Sequence, residues 1–283
     1  MKLLKQVTPI ATASAIAIST MLTPAVTHAE LSGNIGVVSN YVLRGITNPD
    51  SAAMENDGAA VQGGLDWSHS SGFYLGYWGS SLSYTSDPEI TTYDGDGNAS
   101  GVEDGCKKSG DCPSVGYEND FALGYAGSAG KFEYSAGLIQ YYYIGIEAFN
   151  GLEVALSGSI AGASLGLNYL TNDVGWGNSG DMYWTLGYDF ALPSDFTLSA
   201  LLGYYMYEKS GKYVPKSTTD PDDATKTLDA KSSAFRHLNL SLSHPIGTTG
   251  ADMNITAIIG GQDRYGIDQP STFTLGMSYG FDI

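Results

Sequence analysis

Nucleophilic catalysis needs a hydroxyl or thiol beside a base, and bases are scarce in this 283-residue chain. Beyond residue 29 the histidines are His69, His237 and His244. His69 and His244 fall in short turn-like segments, and only His237 lies on the polar side of a strand pattern. Serines are abundant, so composition alone leaves room for a Ser/His pair in a lipid-modifying enzyme. No G-x-S-x-G elbow occurs, however, and the chain is read as a non-enzyme. Metal chemistry is thinly supported too. Cys106 and Cys112 have no histidine nearby and make a poor zinc site; in an exported chain they predict a disulfide bracing a loop. Asp94, Asp96 and Asn98 occupy the first, third and fifth positions of a calcium-loop pattern, a weak calcium candidate. Ala99 stands where that pattern needs Gly, and Gly105 where it needs Glu. The prediction is a solvated acidic loop and no cofactor.

A different constellation recurs along the chain. Arg44, Gln62 and Asp66 share the polar side of the first two strand-like segments, and Glu133, Glu153, Asp189 and His237 occupy the polar side of later ones. Facing a lumen, these residues would line a pore and set its field. The competing reading is an interior salt-bridge network that satisfies its own polar groups.

The elements that must position these residues are strands. About twelve segments alternate apolar and polar side chains, beginning with one from Ser32 to Gly45 and ending with one from Ser271 to Phe281. One parity carries Phe132, Tyr134, Leu138, Leu156, Leu186, Leu202, Leu275 and Met277; the other carries the carboxylates, Ser and Thr. In the hairpin from Leu238 to Gly261 only Ile258 breaks the scheme. Connections alternate in length, with tight "HSSG", "AGSAG", "AGA", "ALPSD" and "HPIGTTG" between longer polar ones. A sandwich has no reason to keep every second connection short, whereas an outer-membrane barrel has short periplasmic turns and long extracellular loops. The fold class read is all-β, an antiparallel transmembrane β-barrel of about twelve strands with its leucines facing lipid.

Residues 1–29 have basic Lys2 and Lys5, an apolar run and a small-residue site at Thr27-His28-Ala29, the layout of a cleaved signal peptide. Residues 30–283 form the barrel domain. The chain carries 13 Lys+Arg against 30 Asp+Glu; removing Lys2 and Lys5 leaves 11 against 30, or −19. That balance argues against nucleic acid as a partner. The 20 Tyr and 37 Gly suit strands and turns better than helices.

Gly33, Asn34, Ser39, Tyr41, Arg44 and Gly45, followed by Gln62, Gly63, Gly64, Asp66, Ser71, Gly72, Phe73, Tyr74, Gly76 and Trp78, resemble the opening hairpin of the proteobacterial TorF-type porin family. The resemblance implies an outer-membrane barrel with no catalytic residues to carry over. Gly145 stands where family members often place Pro after the tyrosine cluster, and the chain ends Phe281-Asp282-Ile283 without the terminal aromatic of an assembly signal. The reading is a porin-like channel in the bacterial outer membrane for passive diffusion of small hydrophilic solutes, weakly cation-selective. Its partners are outer-membrane lipids, lipopolysaccharide and small solutes or ions. The alternatives are a plugged structural or adhesive barrel and, third, a lipid-modifying enzyme.

Overall fold

The computed structural model describes residues 29–47, 58–82, 89–104, 116–144 and 146–283. The signal-peptide reading of residues 1–29, apart from Ala29, and the Cys106/Cys112 pair lie outside the described residues. Sixteen strands follow one another: β1 Glu30–Val38, β2 Ala60–Ser68, β3 Phe73–Ser81, β4 Glu89–Tyr93, β5 Ala99–Asp104, β6 Tyr117–Ala129, β7 Phe132–Tyr143 and β8 Gly151–Ile160. Then come β9 Ala163–Leu170, β10 Met182–Ala191, β11 Thr197–Met206, β12 Ser217–Asp220, β13 Asp223–Asp229, β14 Ser233–Pro245, β15 Ala251–Gly260 and β16 Thr272–Asp282. Twelve of them close into an antiparallel barrel, in the order β1-β16-β15-β14-β11-β10-β9-β8-β7-β6-β3-β2. Closure between β1 and β16 leaves no edge among the twelve barrel strands unpaired, the condition for crossing a bilayer with strands.

The parity of the sequence sets the two faces. Leu186 is 55% exposed, Leu275 58% and Met277 50%, all outward, while Thr274 and Ile258 are 1% exposed and point inward. The leucines of the apolar parity therefore face out, and Ile258, the residue out of pattern in the Leu238 to Gly261 hairpin, is buried in the lumen. Short connections gather at one end. At residues 161–162 a two-residue hairpin turn places both Ala161 (φ 51°) and Gly162 (φ 85°) in the left-handed region, the type I′ geometry that matches strand twist. The long connections gather at the other end. Two of them fold into hairpins of their own, β4 with β5 and β12 with β13, which the alternation did not predict.

The first strand is shorter than its sequence pattern. β1 ends at Val38, six residues before Arg44, and the chain from Ser39 to Thr47 turns into the barrel. Ser39 holds the departure point: its N–H donates to the Leu275 carbonyl and its Oγ accepts from the Leu275 N–H, at 2.8 and 2.9 Å. Thr47 returns to the rim, where its N–H donates to the Gln269 side chain. A lumen twelve strands wide exceeds what wall side chains fill in an eight-stranded barrel. Here the inward segment and a cluster of tyrosines occupy that space.

Candidate functional site: a clasp across the lumen

Arg44 sits at the tip of the inward segment. The Ile46 N–H donates to the Leu43 carbonyl at 2.9 Å, closing a turn whose central residues are Arg44 (φ 46°) and Gly45 (φ 71°). Left-handed backbone is uncommon for arginine and natural for glycine. A Cβ on Gly45 would lie 2.5 Å from the Cβ of His237, so glycine is required by space as well as by dihedral. Two consecutive left-handed residues make a tight reversal, which delivers the Arg44 side chain to the wall opposite its own strand.

There Arg44 meets Glu153 on β8. Nη1 donates to Oε1 at 2.8 Å and Nη2 to Oε2 at 2.7 Å, a bidentate pair. Arg44 is 5% exposed and Glu153 1%, and the remaining valences are filled. Arg44 also donates to the hydroxyls of Tyr141 and Tyr205, at 3.0 and 3.1 Å, and its guanidinium carbon lies 4.7 Å from the centroid of the Tyr183 ring. Glu153 also accepts from Tyr141 and Asn168, at 2.9 and 2.8 Å. Tyr183 shares a 2.7 Å hydrogen bond with Nε2 of His237, and Arg236 donates to the Arg44 carbonyl at 3.1 Å. A β-bulge opposite Gly203/Tyr204 lets the successive residues Arg236 and His237 both bury inward. Five wall strands, β7, β8, β10, β11 and β14, thus grip one loop tip, and β9 supports it through Glu153.

The seven pore-lining residues anticipated from sequence divide into three groups. Arg44, Glu153 and His237 meet at the clasp. Arg44 is not the strand residue it was read as, because β1 leaves the wall before reaching it, and its ion partner is Glu153. Gln62 stands on the neighbouring wall and donates to Ser80 Oγ at 3.2 Å. Asp66, Glu133 and Asp189 form part of a belt at the short-turn mouth.

That belt was not visible before the register was known. Asp66 on β2, Glu133 on β7, Asp189 on β10 and Asp252 on β15 all have inward parity and lie within two residues of their strand's short-turn end. In barrel order their strands are three apart all the way round. Glu30 and Asp282 add carboxylates of the same parity at the seam between β1 and β16.

The other sequence candidates among the described residues lie at turns and strand ends. Asp94 Oδ1 accepts from the N–H groups of Asp96 and Asn98 at 3.0 and 2.9 Å, so the calcium-like pattern forms the turn between β4 and β5. Among the described residues no group of three or more His, Cys, Asp or Glu side chains is placed to hold a metal ion. His69 Nδ1 lies 2.7 Å from Ser71 Oγ in an exposed turn, and His244 faces the Ser194 carbonyl.

A family model described as "Bacterial protein of unknown function (Gcw_chp)" matches residues 23–222. No curated protein matches the sequence. Among solved structures, the KdgM porin is 12% identical with a TM-score of 0.46, over 88% of this chain and 99% of its own. An outer membrane channel from Pseudomonas putida is 10% identical with a TM-score of 0.44, over 92% and 97%. Outer membrane phospholipase A from Escherichia coli is 12% identical with a TM-score of 0.40, over 88% and 89%. Channels and an enzyme appear side by side at these low scores, so the likenesses select no activity.

Proposed function

Since the chain belongs to Gcw_chp, a bacterial family of unknown function, we propose its activity from its own lumen: a narrow outer-membrane channel for small hydrophilic solutes and ions, constricted by the Arg44 segment and modestly selective for cations. The observation that carries this reading is a loop segment lying across a polar lumen, held by polar bonds to the wall. A barrel serving only as a scaffold has no need of a carboxylate belt at its mouth. Lipid would cover the outward apolar face, the short turns and both strand termini would face the periplasm, and the long connections would face outside. The belt of Asp66, Glu133, Asp189 and Asp252 concentrates cations at the short-turn mouth. At physiological salt, with a Debye length of about 8 Å, only a narrow passage senses such a field.

The experiment is a reversal-potential measurement in a salt gradient across a planar bilayer holding the purified barrel, with liposome swelling in graded neutral sugars. Cation preference that weakens as salt rises, with entry of only the smallest sugars, supports the reading; anion preference contradicts it. A second reading, a plugged structural barrel, is favoured by the burial of Arg44, Glu153 and His237, at 5%, 1% and 0% exposure. Permeation by neither ions nor sugars selects it.

A further inference from the structure

Beside the clasp, the wall carries two acids that the clasp does not use. Glu118 and Asp120 lie two residues apart on β6, both turned into the lumen, and are 0% and 7% exposed. Oε1 of Glu118 accepts from the Tyr143 hydroxyl at 2.9 Å, and Oδ1 of Asp120 has no hydrogen-bond partner among the described residues. The lumenal cations are engaged elsewhere. Arg44 is paired with Glu153, and Arg236 donates to the carbonyls of Arg44 and Gln262.

An independent group points to the same place from two strands away. Gln62 is 3% exposed; its Nε2 donates to Ser80 Oγ, and its Oε1 has no partner among the described residues. Ser80 is the β3 residue opposite both Gln62 and Glu118, so Gln62 and Glu118 share one row of the wall. Neighbouring strands thus offer two carboxylates and an amide carbonyl, each on a buried residue, as oxygen donors.

Arg44 is near enough to act on both acids but is bonded to Glu153; two buried carboxylates with no cation bonded to either are stabilised by a proton or a metal between them. Oxygen donors of mixed type on irregularly spaced strands suit calcium, which tolerates variable geometry, better than magnesium, which demands a near-ideal octahedron. None of these donors is the nitrogen or sulfur that would favour zinc. We propose that Glu118, Asp120 and the Gln62 amide oxygen form a calcium-class cation site within the barrel. Tyr41 of the inward segment hydrogen-bonds Glu118, so an ion there would also brace the base of that segment. The site requires the closed wall and does not rest on the lumen being conductive.

The probe is terbium(III), a luminescent stand-in for calcium, titrated into the full chain refolded in detergent without lipopolysaccharide. Trp78, paired with Asp120 in the register, and Tyr143, bonded to Glu118, serve as antennae. The site predicts saturable sensitised emission from a single ion per barrel, displaced by calcium. Affinity should fall at least about ten-fold in Asp120→Asn and persist in a loop variant carrying Asp94→Asn and Asp96→Asn. No sensitised emission from the wild-type chain overturns the proposal, and a proton shared by the acids would give that silent result. Emission lost in the loop variant but kept in Asp120→Asn overturns it as well. If Asp120→Asn does not refold, Gln62→Leu takes its place, and a wild-type melting temperature that calcium and chelator leave equal counts against the site.

Discussion

Arg44 and Glu153, 109 positions apart in sequence, meet across the lumen through two hydrogen bonds, Nη1 to Oε1 at 2.8 Å and Nη2 to Oε2 at 2.7 Å. Both are buried, so neither can lose its partner without leaving a bare charge in a dry place. Arg44→Ala or Glu153→Ala should each cost about 3–5 kcal/mol in urea unfolding of the refolded barrel, unless the released segment swings out to water. The double variant should cost less than the sum, because the second truncation removes the stranded charge. Strict additivity would show that the two side chains are not coupled.

Gly45 tests the turn that carries the clasp. Gly45→Ala meets His237 as well as an unfavourable dihedral, whereas Gly130→Ala at a short turn has a φ of 68° and nothing within 4 Å of its new Cβ. The first should cost about 1–3 kcal/mol and expose the inward segment to protease; the second should cost about 1 kcal/mol with no new cleavage. Equal costs would mean that the contact with His237 adds nothing.

Much of this architecture could be read from residues alone, and the limit falls at Arg44. Alternation told inside from outside along every strand, since a period of two is a local property: Leu186 and Leu275 face out, Thr274 and Ser278 in. It could not say where a strand leaves the wall. The pattern from Ser32 to Gly45 continues past Val38, yet the departure depends on Ser39 capping Leu275 and on space for Gly45 against His237, both non-local. The Arg-Gly pair was noticed as part of a resemblance, and its role as a turn tip needed backbone dihedrals. Only the register shows that Glu118 shares a row with Gln62 through Ser80, with Asp120 one inward position along β6. The even spacing of the mouth carboxylates likewise depends on strand order.

The outward face gives a third test. Leu186 is central in β10 and 55% exposed toward the outside. Leu186→Arg should destabilise the barrel in lipid vesicles by about 2–4 kcal/mol, the cost of a charge at the bilayer midplane. An unchanged unfolding free energy would place that face in water. Arg at inward Thr274, 1% exposed, should also be poorly accommodated, because the lumen there is filled.

At the long-loop end, the β4–β5 hairpin is tied to the 207–216 segment by Lys212 and Glu103, 2.8 Å apart, and by the Tyr213 hydroxyl donating to Glu103 at 3.0 Å. The hydrogen bond from Lys212, with Tyr213 adding to it, holds the Glu103 carboxyl below its ordinary range. A depressed carboxyl contributes its tie fully above its unfolded value and loses it as pH falls through the lower folded value. Hydrogen exchange across the hairpin should therefore be unaffected between neutral and mildly acidic pH, once corrected for intrinsic rates, and rise only in stronger acid. High salt should weaken the same tie, because both side chains are nearly half exposed. A hairpin already released in mild acid would contradict this assignment.

The most direct test is single-channel conductance of the wild-type barrel beside Arg44→Ala. The Arg44 side chain crosses the lumen and is gripped from β7, β8, β10 and β11, so in the proposed channel its removal opens the constriction. The account predicts a small wild-type conductance that rises several-fold in Arg44→Ala and again favours cations, the variant having lost a positive charge from the constriction. Equal conductance in the two proteins would show that Arg44 does not set the passage, and none in either would show that the lumen is no passage at all.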